Sequence, residues 1–289
     1  MDGIFNIRKE PGFQSYSVID SLKKIPGIAK AGYAGTLDNF ASGVLLCGVN
    51  RATRVLKYLL GLEKEYRAVV VLGRTTDTLD PRGTETGTGP SDYSIEEIEA
   101  ASRGFTGTFM QTPPVFSSKK IEGRRSSDLA REGRPVEVKP SEITIYSLAV
   151  SDCLPGGRFT LTVKCSTGTY IRALARDIGL KLGTVGMLES LERTANGRFK
   201  AAEARLTAEI DPARDLISMR DGLYFLEETG LKPEAANKVK NGVPLASGDL
   251  ISGNLKNGVY KLIFNELLIA IVERLDGRLV YLDNFFADI

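Results

Sequence analysis

The sequence predicts an α+β protein. Strand-length apolar runs and amphipathic helices follow one another without the regular alternation of a parallel βαβ chain. With 42% hydrophobic residues among 289, there is enough apolar material for a sizeable core. The C-terminal part closes on three β-rich runs separated by turn residues.

Residues 3–8 read as a strand. Ser17 offers an N-cap for an amphipathic helix with Ile19 and Leu22 turned inward, ending near Ile25-Pro26-Gly27. A glycine-rich loop around Asp38 follows, then an apolar run of strand length over 44–49 and a helix over 52–60 with Val55, Leu56 and Leu59 on one face. Residues 66–72 form a β-branched strand. Residues 83–94, rich in Thr, Gly, Pro and Ser, read as a loop, after which Ser94-Ile95-Glu96-Glu97 opens a helix whose acidic residues suit its positive end. Residues 103–140 show little apolar periodicity and read as a loop-rich insertion carrying Lys119, Lys120, Arg124, Arg125, Arg131 and Arg134. Residues 143–150 and 158–165 pair as strands about Pro155-Gly156-Gly157, and 170–182 is an amphipathic helix with Ile171, Leu174, Ile178 and Leu182 along one face. From about Leu223 a short helix over 235–239 precedes β runs at 259–264, 267–275 and 279–283. The expected division is 1–222 and a small C-terminal β module, 223–289.

Composition narrows the chemistry. The chain has no histidine, and its three cysteines, Cys47, Cys153 and Cys165, have no C-x-x-C spacing. Ser-His-Asp and Cys-His catalysis are therefore excluded, and the usual zinc constellations cannot be assembled. Catalysis must run on carboxylates, tyrosines, lysines or arginines. No apolar run approaches the ~20 residues that span a bilayer, and the N-terminal residues lack a basic stretch followed by an apolar signal core. A cytoplasmic protein without membrane contact is expected. The formal net charge is only +2, but residues 1–60 carry eight Lys/Arg against four Asp/Glu, and residues 117–140 carry seven against four. Those local excesses suit contact with a polyanion.

The most informative stretch is Lys30-Ala31-Gly32-Tyr33-Ala34-Gly35-Thr36-Leu37-Asp38-Asn39-Phe40-Ala41-Ser42-Gly43. Gly32, Gly35 and Gly43 allow a tight, open loop that presents the Asp38 carboxylate to a closely approaching substrate. Two further stretches are Lys64-Glu65-Tyr66, leading into Gly73-Arg74-Thr75-Thr76-Asp77-Thr78, and Cys165-Ser166-Thr167-Gly168-Thr169-Tyr170-Ile171-Arg172. In type, order and spacing, the three together resemble the motifs of the TruB-type tRNA pseudouridine synthases, over about residues 3–200.

That resemblance implies a mixed, mainly antiparallel pseudouridine-synthase sheet flanked by helices and loops, followed by a small PUA-like β module. Charge gives the module no support as an RNA binder, since residues 231–289 carry seven basic and seven acidic residues. The implied reaction isomerises the T-arm uridine at tRNA position 55 without cofactor or metal, on a monomer with no obligate protein partner. Asp38 would be the catalytic aspartate, as nucleophile or as the base that opens a glycal route. Arg172 would pair with it and fix its orientation. Tyr66 would pack on the flipped uracil and handle its proton, Tyr170 would be a second pocket tyrosine, and Leu191 an apolar pocket residue. Lys119, Lys120, Arg124 and Arg125 would contact phosphates as the insertion folds over the T arm, while Asp77 would be structural. Two positions depart from the family pattern. Tyr33 stands where histidine is usual, which preserves stacking but not imidazole protonation, and Asn39 stands where proline is usual.

Three other readings compete. A guide-dependent synthase of the dyskerin class, or another synthase acting on a different RNA, shares the Gly-Thr-Leu-Asp loop. A tRNA-folding chaperone with secondary catalysis would keep its RNA remodelling without Asp38. A magnesium-dependent phosphoryl-transfer enzyme could use Asp77 and Asp80, but no G-x-x-x-x-G-K-[ST] loop is present, and Asp80-Pro81-Arg82-Gly83 reads as a turn.

Overall fold

The computed structural model describes residues 1–121, 123–252 and 255–286. Glu122 of the expected insertion, and Gly253, Asn254 and residues 287–289 of the expected C-terminal module, lie outside the described residues. Strand β1 (Gly3–Lys9), helix α1 (Ser15–Leu22), β2 (Ala31–Ala34) and β3 (Ser42–Val49) come first, then a one-turn helix α2 (Leu56–Leu59) and β4 (Lys64–Leu72). A small hairpin, β5 (Arg74–Thr76) with β6 (Glu85–Thr88), precedes α3 (Ile95–Arg103) and β7 (Gly107–Gln111). The ribbon β8 (Lys120–Ile121) and β9 (Arg124–Arg125) leads into α4 (Ser126–Arg131). Next are β10 (Ser141–Leu154), β11 (Arg158–Cys165), α5 (Ile171–Lys181), β12 (Gly186–Asn196) and β13 (Phe199–Lys200). The C-terminal strands are β14 (Glu227–Gly230), β15 (Gly258–Phe264), β16 (Leu267–Leu275) and β17 (Arg278–Asn284).

In the described residues one large sheet runs β1-β3-β12-β4-β11-β10-β7, with β2 also on β3 and β13 on β12. All its pairings are antiparallel except β3 with β12, which meet in parallel at Ser42–Glu192 and Gly43–Arg193. The alternation along β4 turns Lys64, Tyr66, Ala68 and Val70 to the buried side. Helix α5 covers that face, packing Leu174, Ala175 and Ile178 against Ala68, Val70, Phe159, Leu161 and Leu188. Helix α1 covers the β1–β3 end through Val18, Ile19 and Leu22 on Phe5, Ile7, Leu45 and Cys47. Each such side chain removed from water contributes roughly 1.5–3 kcal/mol before the entropic cost of ordering it. This packing brings the start of α5 over the ends of β2 and β4, and the site forms there.

The C-terminal sheet, β14-β15-β16-β17, has its own core of Leu231, Val239, Leu262, Ile269 and Leu279. It is joined to the large sheet's flank by Leu268, Ile271 and Phe285, which pack with Ile4, Val55 and Leu59. Asp283 accepts a hydrogen bond from the Tyr58 hydroxyl at 2.7 Å and pairs with Lys57 at 2.8 Å.

Several local expectations change in the folded chain. Helix α1 begins at Ser15, with Gln14 at the N-cap, so Ser17 lies inside the helix. The serine that matters is Ser15, whose hydroxyl bonds the Leu37 carbonyl and amide, both at 3.1 Å, and ties the helix to the Asp38 loop. The helix expected over 52–60 is a 3₁₀ turn, Asn50–Arg54, followed by the single turn α2. Asn50, at φ 49°, bonds the Ala29 and Lys30 amides and the Gly27 carbonyl, which fixes an irregular start. Glu85–Thr88 is a strand inside the expected 83–94 loop because it pairs with Arg74–Thr76. Gly107–Gln111, assigned by sequence to the insertion, is the edge strand of the large sheet, in register with Ser141–Ile145. In both cases the partner strand is distant in sequence or weakly patterned.

Gly43 is where β3 meets β12. At φ 105°, a Cβ there would lie 2.2 Å from the Arg193 carbonyl oxygen. Gly43→Ala is expected to lower stability by roughly 3 kcal/mol or more, through a left-handed backbone plus a backbone collision. Ser94→Ala should lower it by about 1 kcal/mol, through loss of the capping box with Glu97. Thermal melting of both variants beside the parent checks the two values, and the order Gly43 above Ser94 is the firmer expectation.

Candidate active site

Asp38 sits in the turn between β2 and β3, where Gly35 (φ 81°) releases the chain from β2. The turn is anchored by Leu37 and Ala41, which are buried in the main core, and by bonds to its backbone. Leu37 is tied to Ser15, and Gly12 donates its amide to the Asn39 carbonyl at 2.7 Å. The buried Lys9 ammonium donates to the Asn39 and Ala41 carbonyls at 3.3 and 2.6 Å. Arg193 donates through Nη2 to the Gly35 carbonyl at 3.1 Å and through Nε to the Val44 carbonyl at 2.7 Å.

The carboxylate of Asp38 is 37% exposed and is gripped by an arginine that is 5% exposed. Arg172 donates Nε to Oδ2 at 2.8 Å and Nη2 to Oδ1 at 3.0 Å, a two-point fork that fixes the plane of the carboxylate. Its remaining donors reach the Thr78 carbonyl at 2.8 Å and the Phe116 carbonyl at 3.0 Å. Asp80, also buried, lies 3.7 Å from Arg172 and accepts from the Thr78 hydroxyl at 2.8 Å and the Arg82 amide at 3.0 Å. The Asp80 turn is present, since the Gly83 amide bonds the Asp80 carbonyl, but the side chain also takes part in the site. Asp77 accepts the Thr84 amide at 2.9 Å and closes the β5–β6 hairpin.

A cavity of about 210 Å³ opens beside the carboxylate, lined among others by Asp38, Lys64, Tyr66, Tyr170, Leu191 and Arg193. Tyr66, on β4, is buried, and burial holds its hydroxyl above the usual phenol range while nearby Arg193 acts in the opposite direction. It stays a neutral phenol near pH 7. Tyr170 immediately precedes α5 and is clamped through its backbone by the Gln111 side chain, at 2.9 and 3.1 Å. Leu191 projects from β12 opposite Ala68. A second cavity of about 230 Å³ shares Asp38 and Arg172 and continues to Arg82, Arg125 and Arg131.

Asp38, Tyr66, Tyr170, Arg172 and Leu191 thus converge on one cavity. Tyr33 does not line it. It pairs with Cys47 across β2–β3 and packs with the α1 cluster, because the strand period turns it away from the Asp38 side. In the insertion, Lys120 and Arg125 are exposed. Lys119 is spent on the Lys139 carbonyl and the Ser141 hydroxyl, and Arg124 pairs with Glu132.

Sequence reasoning assigns no role to Lys9, Lys64 or Arg193, and considers the Asp80 carboxylate only as a magnesium ligand. Lys64 and Arg193 lie two residues from Tyr66 and Leu191, and the period of two that turns those residues inward turns these inward as well. Burial pushes both Lys9 and Lys64 down to about 8. Among the described residues no group of three or more Cys, Asp or Glu is placed to hold a metal, and no helix is long and apolar enough to cross a membrane.

Residues 23–171 match the model of the TruB family pseudouridylate synthase N-terminal domain. Over 266 residues the chain is 35% identical to a tRNA pseudouridine synthase B of Caldanaerobacter subterraneus subsp. tengcongensis, covering 92% of each. It is 40% identical over 205 residues to the Aquifex aeolicus protein of that name, 71% of each. A chain in a crystal structure of a Cbf5-Nop10-Gar1 complex shares the fold, with a TM-score of 0.75 and 24% identity over 98% of this chain and 84% of that one. With the family model spanning half the chain and similarity to curated relatives running well beyond it, this protein belongs to the TruB family of pseudouridine synthases.

Proposed function

We propose that this chain converts the T-arm uridine at tRNA position 55 to pseudouridine, with Asp38 as the catalytic aspartate. The observation that carries the reading is the Asp38 carboxylate, fixed in plane by Arg172 and opening on a cavity walled by Tyr66, Tyr170 and Leu191. A stacked uridine must be extruded before its glycosidic bond can be reached, and a cavity of about 210 Å³ suits one nucleoside better than a longer ligand. Asp38 then faces the ribose, as nucleophile at C1′ or as base at C2′. The phenol of Tyr66 packs on the ring and exchanges its proton, a role open to tyrosine in a chain without histidine. The relatives named tRNA pseudouridine synthase B support tRNA as the substrate.

Phosphate contacts fall first to the exposed Lys120 and Arg125, with Lys119 and Arg124 recruited by exchanging their present partners for phosphate. Residues 1–222 carry catalysis, and residues 223–289 act as a PUA-like module. The enzyme works as a cytoplasmic monomer, without an obligate protein partner or metal.

Incubation with an unmodified tRNA transcript in EDTA, followed by carbodiimide-dependent primer extension, is expected to give one new stop, at the T-arm uridine. Asp38→Asn should abolish the stop while tRNA binding persists; a stop elsewhere, or one that survives the substitution, refutes the assignment. Arg172→Lys keeps the charge but loses the two-point fork, and kcat should fall by about 10²–10³ with tRNA affinity within about threefold of the parent.

A further inference from the structure

The cavity beside Asp38 holds buried positive charge with no ion-pair partner among the described residues. Arg193 is 1% exposed and Lys64 is 5% exposed; both line the cavity, and neither forms an ion pair among the described residues. Arg193 is held by the Val44 and Gly35 carbonyls, and Lys64 by the Leu60 and Leu62 carbonyls. Two of the three ammonium donors of Lys64 are thereby used, and the third meets no hydrogen-bond acceptor among the described residues. Arg193 stands directly opposite Tyr66 across the β12–β4 pairing, and Lys64 is two residues from Tyr66 on the same face of β4. Lys9 adds a third buried cation behind the loop, hydrogen-bonded to three carbonyls. Burying an unneutralised cation ordinarily costs several kcal/mol, which carbonyl dipoles offset only in part. The fourth buried cation, Arg172, is already matched by Asp38 and Asp80.

From this arrangement we infer that Arg193, seconded by Lys64, stabilises the uracil as an anionic leaving group. The inference rests on the reaction proposed above. When N1–C1′ breaks, the bonding pair leaves with the ring and spreads over N1, O2 and O4. C1′ is compensated by an Asp38 oxygen or by loss of the 2′ proton. The detached ring is thus negative for as long as it takes to turn and present C5 to C1′; formation of the C5–C1′ bond, as the Asp38 oxygen leaves C1′ or C2′ regains its proton, cancels that charge, and C5 then loses its proton while N1 gains one. Fixed cations already desolvated in the cavity wall favour that state more than the neutral nucleoside, which is the condition for lowering the barrier. They also hold the free ring against escape through both steps.

The test compares T-arm RNA carrying uridine with the same RNA carrying 5-fluorouridine. The substitution lets the ring bear the leaving charge with less help. Single-turnover disappearance of the N-linked nucleoside is followed by nuclease digestion and mass spectrometry, below neutral pH where both bases keep their N3 protons. For 5-fluorouridine the endpoint is the rearranged C-nucleoside, since C5 has no proton to lose. Arg193→Gln should slow the uridine reaction by about 10²–10³, and the 5-fluorouridine reaction by at least tenfold less. Lys64→Gln should shift the ratio of the two rates in the same direction by a smaller factor, and Arg193→Lys and Lys64→Arg should keep the parental ratio.

The ratio is measured within one preparation, so it is independent of the folded fraction. Should Arg193→Gln fail to fold, Lys64→Gln carries the measurement. An unchanged ratio in the glutamine variants, with the parent active on uridine, overturns the leaving-group role and leaves the proposed reaction standing. A parent inactive on both RNAs overturns the proposed reaction and this inference with it.

Discussion

The Asp38–Arg172 fork is the contact on which the rest of the site depends. A guanidinium as buried as that of Arg172 is tolerated only if its donors are satisfied, and satisfying them brings four separate segments to one point. The carboxylate comes from the β2–β3 turn, the Thr78 carbonyl from the β5–β6 hairpin, the Phe116 carbonyl from the segment after β7, and the arginine itself from the first turn of α5. The same bonds that hold the carboxylate in plane therefore fix where those segments sit. Removing the arginine would leave two carbonyls and a carboxylate to find water or new donors, so its effect would reach past the aspartate.

A second layer of the design is the use of cations as backbone ties. Besides the Gly12 amide and the Ser15 hydroxyl, the Asp38 turn is held by Lys9 and Arg193 through its carbonyls. This leaves the Asp38 carboxylate with only arginine bonds and an open side. It also lets Gly43 bring β3 against the backbone of Arg193, closer than any other residue allows. The geometry of the Asp38 turn and strand pairing are thus coupled at one residue pair, Gly43 and Arg193, and positive charge is stored under the cavity as a by-product of holding the loop.

Much of the fold was legible in the sequence because it follows from local periodicity. The strands containing Tyr66 and Phe159, the helix containing Leu174 and Ile178, and the three C-terminal strands all show in their own residues the apolar pattern or run that they bury. What local pattern could not show was pairing between segments of weak hydrophobicity. Gly107–Gln111 and Glu85–Thr88 are strands because Ser141–Ile145 and Arg74–Thr76 lie beside them. The placement of Tyr33 was illegible for a related reason: its neighbourhood in sequence is the Asp38 loop, yet its position on β2 packs it on the α1 side.

By itself the sequence determined the reaction vocabulary. Without histidine or paired cysteines, and with a carboxylate in a glycine-rich turn and tyrosines and an arginine in spaced motifs, it restricted the chemistry to carboxylate, phenol, ammonium and guanidinium and pointed to the family. Only the tertiary structure decided which of these groups meet, that Asp80 joins Arg172, and that Lys64 and Arg193 are buried cations lining the same cavity as Tyr66. The physical reason is range. Side-chain periodicity is written within a few residues, whereas the charge balance of a buried site depends on contacts between segments more than a hundred residues apart, such as Asp38 with Arg172 and Gly35 with Arg193.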